Sequence, residues 1–252
     1  MRAARLTILG LLGLLLLAAV PAGAAPPALS VSLQPSQVDI NTFFDGARLR
    51  VDGQAPAGSQ VAVILFSAPS DMDFRIKSRL WGFLWMNREE VAFHGAPSVY
   101  LYQGSGGSPD DFKLGLDHLQ AMVRIKDGHS DPAELFKELV RIKQSEGLYN
   151  LSPQGVSLGS EQNGLQPFSC AFELPARLPQ GTYQVQAFAR DSQGQITSGP
   201  AQPVKAQEVG FPALLSSLAY NYGLLYGVLA ALLALVGGLV TSILFKGGGG
   251  AH

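Results

Sequence analysis

The hydrophobic pattern changes character along this chain, and each change marks a different kind of segment. Leu6 to Val20 is an unbroken apolar run behind Arg2 and Arg5, ended by Pro21 and the small-x-small triplet Ala22-Gly23-Ala24. A cationic start, about 15 apolar residues and a small-residue site predict a secretory signal peptide over 1–24, cut after Ala24. An uncleaved anchor is the alternative, but the run is short for a span that needs about 20 residues. From Gly223 to Phe245 no residue is charged. About 23 residues make a helix of about 34 Å, enough to cross a hydrocarbon core. Tyr220, Tyr222 and Tyr226 stand at its start, where amphipathic rings favour the interface, and Lys246 follows its end.

Between these ends the dominant period is two, the mark of strands with one buried face. Leu29-Ser30-Val31-Ser32-Leu33 alternates, as does Arg48-Leu49-Arg50-Val51, after which Asp52-Gly53 predicts a turn. Gln60 to Phe66 is nearly continuous apolar sequence, which fits a central strand covered on both sides. Asp71–Lys77, Leu80–Met86 and Ser98–Tyr102 are further short strand candidates, separated by Ala68-Pro69 and Ala96-Pro97. In Phe168–Leu174, Cys170 shares a face with Phe168, Phe172 and Leu174. Tyr183, Val185, Ala187 and Ala189 share another, behind Leu178-Pro179-Gln180-Gly181-Thr182. A Gly-x-Tyr entering such a strand is similar to the corner of immunoglobulin-like domains, where a tyrosine hydroxyl satisfies a nearby backbone group.

The period shifts to that of a helix over about 109–146. Ser108-Pro109-Asp110-Asp111 reads as a capped helix start, followed by Phe112, Leu116, Leu119 and Val123. Asp131-Pro132-Ala133-Glu134 starts a second helix, with Leu135, Phe136, Leu139, Val140 and Ile142 as its stripe and Gly147 as its stop. The expected fold is mainly β: an immunoglobulin-like sandwich over 25–208 with a two-helix insertion covering one end or edge. A juxtamembrane segment over 209–222, a transmembrane helix over 223–245 and a tail over 246–252 complete it. Phe211, Leu214, Leu215 and Leu218 fit either an interfacial helix or an extension of the transmembrane one.

Composition changes this picture little. Net charge is −1, and loss of Arg2 and Arg5 with the signal makes it slightly more acidic, which argues against nucleic acid as a partner. Cys170 is the single cysteine, so one chain forms no disulfide. His94, His118, His129 and His252 show no metal-ligand spacing, and no nucleophile elbow is present. No cofactor is expected, and the expectation is a protein that is not an enzyme. Gly104-Ser105-Gly106-Gly107-Ser108 precedes a helix start, but Asp110 and Asp111 would repel an anion there, so a connector is expected.

Two features stand out as candidate interaction surfaces. Arg75, Lys77, Arg79, Trp81, Trp85 and Asn87 put both tryptophans of the protein beside three cations. Aromatic and arginine side chains make strong interface anchors, although burial of Trp85 in a core is the simpler reading. In the apolar helix, Gly223, Gly227 and Ala231, then Ala230, Ala234 and Gly238, form ladders at four-residue spacing. Such ladders let a second helix approach closely, whether from an integral membrane partner or from another copy of this chain.

The order of several motifs resembles a family of uncharacterised transmembrane proteins first catalogued in alphaproteobacteria. The motifs are Phe43-Phe44-Asp45-Gly46-Ala47, Lys77 with Gly82-Phe83-Leu84-Trp85-Met86-Asn87, and Pro97-Ser98-Val99-Tyr100. Glu146-Gly147-Leu148-Tyr149, Leu178–Tyr183 and Leu225-Tyr226-Gly227 follow in order. The tryptophan segment departs conservatively, with Phe83-Leu84-Trp85-Met86-Asn87 where members look like Gly-Ile-Trp-Val-Asn. The resemblance implies no enzymatic activity. It implies a link to sulfite-exporter-like permeases, hence an accessory role in the bacterial inner membrane with the bulk of the chain in the periplasm and the C-terminus in the cytoplasm. A periplasmic small-anion binding or sensing module is the alternative.

Overall fold

The computed structural model describes residues 29–80, 84–126 and 131–245, and over 76–80 and 84–89 their backbone alone. The expected signal peptide over 1–24, together with Trp81, His129, Lys246 and His252, lies outside the described residues. Among the described residues the strands form three sheets. The first runs in the order β1 (Ser30–Gln34), β3 (Gly46–Pro56), β11 (Leu165–Pro175), β10 (Ser157–Leu158), all antiparallel. The second runs β2 (Gln37–Ile40), β14 (Gln202–Glu208), β12 (Gly181–Arg190), β4 (Gln60–Ser67), β7 (Tyr100–Gly104), β9 (Tyr149–Ser152), with β13 (Ile196–Ser198) also on β12. In it, β2 lies parallel to β14 and β9 parallel to β7. These two sheets are compatible with an immunoglobulin-like sandwich. The third sheet, β5 (Pro69–Leu80), β6 (Leu84–Pro97) and β8 (Arg124–Lys126), is an outgrowth between β4 and β7.

Alternation in the sequence explains the core. Leu49 and Val51 of β3, Phe168, Cys170, Phe172 and Leu174 of β11, and Tyr183, Val185, Ala187 and Ala189 of β12 are all buried. The register sets Val185 opposite Leu65, Ala187 opposite Val63 and Ala189 opposite Val61, so these pairs share one face of the second sheet. Ala62 and Ile64, on the other face of β4, are buried as well, which accounts for its continuous apolar run. Each fully buried aliphatic side chain stabilises the fold by about 1.5–3 kcal/mol. The Tyr183 hydroxyl donates to the Pro179 carbonyl, closing the corner that the sequence suggests.

Asp52-Gly53 is not a turn. β3 runs straight through it, and Gly53 faces Val31 on one side and Phe168 on the other. A Cβ there would stand 2.2 Å from the Ser30 carbonyl oxygen and 2.4 Å from Phe168 Cζ. Glycine is present for this close approach and not to turn the chain.

The insertion holds two helices, but the first is shorter than its spacing predicts. Ser108 caps this start as expected and forms a capping box with Asp111, yet Pro109–Phe112 is only a 3₁₀ turn, ended by Lys113 in the left-handed region at φ 58°. The Leu114 carbonyl accepts from the Tyr100 hydroxyl at 2.9 Å, a tertiary bond that holds this carbonyl against the second sheet. α1 spans Leu116–Met122, and Val123 then turns extended into β8. α2 (Pro132–Ser145) is capped by Asp131, whose carboxylate accepts from the Ala133 amide at 3.2 Å.

The two ends of the second sheet differ in what leaves them. Tyr183, near the start of β12, pairs with Ser67 at the end of β4, and Gly181 pairs with Ala206 near the end of β14. One end therefore emits both the β5–β6 hairpin and the final segment of the chain. Two residues, Val209 and Gly210, separate β14 from α3 (Phe211–Asn221), and the Ser216 hydroxyl of α3 donates to Glu208. The backbone breaks at Tyr222, with φ −134° and ψ 47°, before α4 (Gly223–Phe245). α3 is thus a separate helix and not a continuation of α4.

Candidate interaction surface

The hairpin is built in two parts. Near its stem, Ser70 faces Ala96 and Met72 faces Phe93, so Asp71 opposes two residues, His94 and Gly95, in a bulge. Gly95 takes φ +79°, the conformation such a bulge requires. His94 Nδ1 lies 2.9 Å from Asp71 Oδ2, and this hydrogen bond holds the Asp71 carboxyl below its usual range. Met72 and Phe74 are half-buried, Val91 and Phe93 are buried, and Phe74 meets Phe93 edge-on at 5.5 Å. The apolar stripe of α2 faces them: Leu135, Leu139 and Ile142 line a cleft of about 320 Å³ with Phe74, Val91 and Phe93. α2 therefore buttresses the hairpin as well as following the sandwich strands, a division of labour that the sequence does not show.

The next stretch of the ribbon carries the candidate residues, and Arg75, the first of them, also lines the α2 cleft. Arg75 faces Glu90, and the two form an exposed ion pair at 3.4 Å, worth at most about 1 kcal/mol. A second register shift falls between Ile76 and Lys77. After it Lys77 faces Asn87, Ser78 faces Met86, Arg79 faces Trp85 and Leu80 faces Leu84. Cross-strand partners share a face, so Lys77, Asn87, Arg79 and Trp85 occupy one side of the ribbon. The structure thus brings four of the six candidate residues into two adjacent pairs, with Arg75 one further step toward the stem; Trp81 is outside the described residues.

The ladders on α4 stand free. Gly223, Gly227, Ala230, Ala231, Ala234 and Gly238 are all exposed, and a Cβ at Gly223, Gly227 or Gly238 would meet nothing within 4 Å. The large apolar side chains of α4 are exposed with them; Leu224, Leu233 and Leu235 are 88%, 72% and 71% exposed. Such a surface is stable only in lipid or against another apolar surface.

Elsewhere the chemistry is structural. Cys170 is buried, and burial, aided by Asp52, pushes its thiol up to about 12. In the glycine-rich loop the Asp111 carboxylate accepts from the Ser108 amide at 2.9 Å and the Ser108 hydroxyl accepts from the Asp110 amide at 3.2 Å, so the turn's own side chains take these donors. His118 lies with Met122 of α1 along a largely apolar groove of about 370 Å³ over Phe66 and Phe188. Among the described residues no three His, Cys, Asp or Glu side chains cluster as metal ligands would. The Asp71–His94 contact was not legible in the sequence; its one local signal is Gly95, a positive-φ glycine inside a strand pattern.

Fold and helix together define a β-rich protein with one C-terminal apolar helix long enough to cross a membrane. The chain belongs to the family described as "Putative transmembrane protein (Alph_Pro_TM)", whose model matches residues 28–247. No curated protein matches it. Among solved structures, murine CRIg is similar at 8% identity and a TM-score of 0.23, over 72% of this chain and 99% of that one. A complex structure concerning T cell activation by toxic shock syndrome toxin-1 gives 10% identity and a TM-score of 0.23, over 71% and 100%. The vertebrate protein Astrotactin-2 gives 15% and 0.24, over 84% and 28%. Likeness at this level carries no weight for fold or function.

Proposed function

We propose that this chain is a membrane-anchored accessory subunit without enzymatic activity, standing on the periplasmic face of a bacterial inner membrane beside an integral membrane protein. A sulfite-exporter-like permease is the partner class that the family resemblance suggests. The supporting observation is the junction of β14, α3 and α4. Only Val209 and Gly210 join the sandwich to α3, and α4 follows α3 directly after Tyr222, so the tether is short and favours working contacts near the membrane. The exposed ladders of α4 give a multi-span partner a place to pack.

The test is purification from the native host in mild detergent after in-cell crosslinking. A multi-span membrane protein is expected to co-purify, and Gly227→Leu with Ala231→Leu is expected to reduce its yield several-fold. Elution of the full chain alone, crosslinked or not, rejects the reading. The small-anion alternative draws on the row of cations at 75, 77 and 79. The Arg75 guanidinium already faces Glu90, which weakens that reading.

A further inference from the structure

We propose that the turn carrying Phe43, together with α3, is a lipid-docking face. Phe43 and the apolar stripe of α3 sit among the acyl chains of the leaflet that α4 enters, and they hold that end of the sandwich against the bilayer. Place comes first. β2 runs parallel to β14, with Ile40 opposite Glu208, so both strands end on the side from which the chain leaves for α3. The Val209 amide donates to the Ile40 carbonyl at 2.9 Å. Phe43 is three residues beyond Ile40 and Phe211 two beyond Val209, so each lies within about 11 Å of its bonded residue. The turn is fixed: the Asn41 side-chain oxygen accepts from the Phe43 amide at 2.8 Å, and the Asn41 carbonyl accepts from the Phe44 amide at 3.1 Å. Phe44 packs back against the core, whereas Phe43 is 90% exposed.

The roll of α3 points the same way. At 3.6 residues per turn, Phe211, Leu214, Leu215 and Leu218 share an arc of about 100°, and Ser216 lies about 100° or more from each. The Ser216 hydroxyl is bonded to Glu208 at the end of β14. That bond turns the polar side of the helix to the sheet and the apolar stripe away from it; Phe211 and Leu214 are 58% and 61% exposed. Lipid is the occupant that the next helix supplies. No residue from Val209 to Phe245 is charged, and only the break at Tyr222 separates α3 from α4. The stripe is therefore continuous with the surface that hydrocarbon covers, as in helices that lie along the interface. The turn offers lipid phosphates no cation, and Asp45 follows Phe44, so the contact is apolar and needs no anionic lipid.

The proposal rests on the anchoring of α4, and the experiment separates the two. Cys170 is buried, so a thiol-reactive NBD label added to the folded full-length Phe43→Cys variant enters at position 43, and the parent chain checks that none enters elsewhere. The same label goes on Leu214→Cys in α3 and on Ser192→Cys, in the turn after β12 at the opposite end of the second sheet. Each variant is reconstituted into phosphatidylcholine liposomes, with or without nitroxide on the acyl chains, and floated on a density gradient. All three are expected to float, and nitroxide lipid is expected to quench the labels at 43 and 214 several-fold more than the label at 192. Flotation with either label quenched no more than that at 192 overturns the proposal and leaves α4 anchored. That holds whether aqueous iodide reaches the label at 43, as a turn standing in water requires, or fails to, as cover by protein or a second copy requires. Failure to float overturns both the anchoring and the proposal.

Discussion

Two tyrosines of the second sheet, on the strands either side of β4, show how differently one hydroxyl can act. The Tyr183 hydroxyl donates to the Pro179 carbonyl at the mouth of β12. The Tyr102 hydroxyl is fully buried and has no hydrogen-bond partner among the described residues. Tyr183→Phe leaves a carbonyl unsatisfied and is expected to lower stability by about 1–2 kcal/mol, whereas Tyr102→Phe removes a buried polar atom and is expected to be neutral or stabilising. Urea unfolding of the two variants in the same detergent, followed by circular dichroism, reads the contrast; equal losses would contradict it. At this scale the sequence was informative where a residue sits in a repeating pattern. Cys170 and Tyr183 were legible because alternation names their faces. Gly53 and the Asp71–His94 bulge were not, since the reason for each lies on a strand far away in sequence.

Elements were legible in proportion to their periodicity. β11, β12 and α2 read directly from period two or 3.6, and β4 from its continuous apolar run. The first inserted helix was misread in extent because its capping box is real but a tertiary bond from Tyr100 to Leu114 competes with continuation. β5 and β6 read as short separate strands because their turn signals lie at the root, at Ala68-Pro69 and Ala96-Pro97, and none marks how far the ribbon extends. What holds that ribbon is α2. Leu139 is 1% exposed and packs at the cleft shared with Phe74, Val91 and Phe93. Leu139→Ala is expected to destabilise this contact by about 2–5 kcal/mol. Hydrogen exchange checks it: amides of β5 and β6 are expected to exchange faster while those of β4 and β12 keep their protection. Uniform acceleration across all strands would mean that α2 supports the sandwich and not the hairpin.

The whole molecule divides its hydrophobicity between two solvents. The sandwich buries its apolar residues internally; α4, none of whose residues is buried, leaves its own for lipid. Two arginines at its centre, Leu232→Arg with Leu235→Arg, are expected to oppose insertion by about 5–7 kcal/mol. Alkaline extraction of membranes then finds the variant in the supernatant and the parent chain in the pellet; a variant that stays in the pellet would show that something other than α4 holds the protein. That helix was legible from its missing charges alone. That the chain leaves for it from the same end of the second sheet as the hairpin was not, because this depends on the register of three strands far apart in the chain.

The position of β14 has a mechanical meaning. It is the last strand before the membrane, and it lies between β2, which runs with it, and β12, which runs against it. Inter-strand hydrogen bonds lie across the strand direction. A tug on α4 therefore loads both ladders together in shear, instead of peeling one bond after another, so the strand that tethers the domain is also placed to bear the strain of the tether.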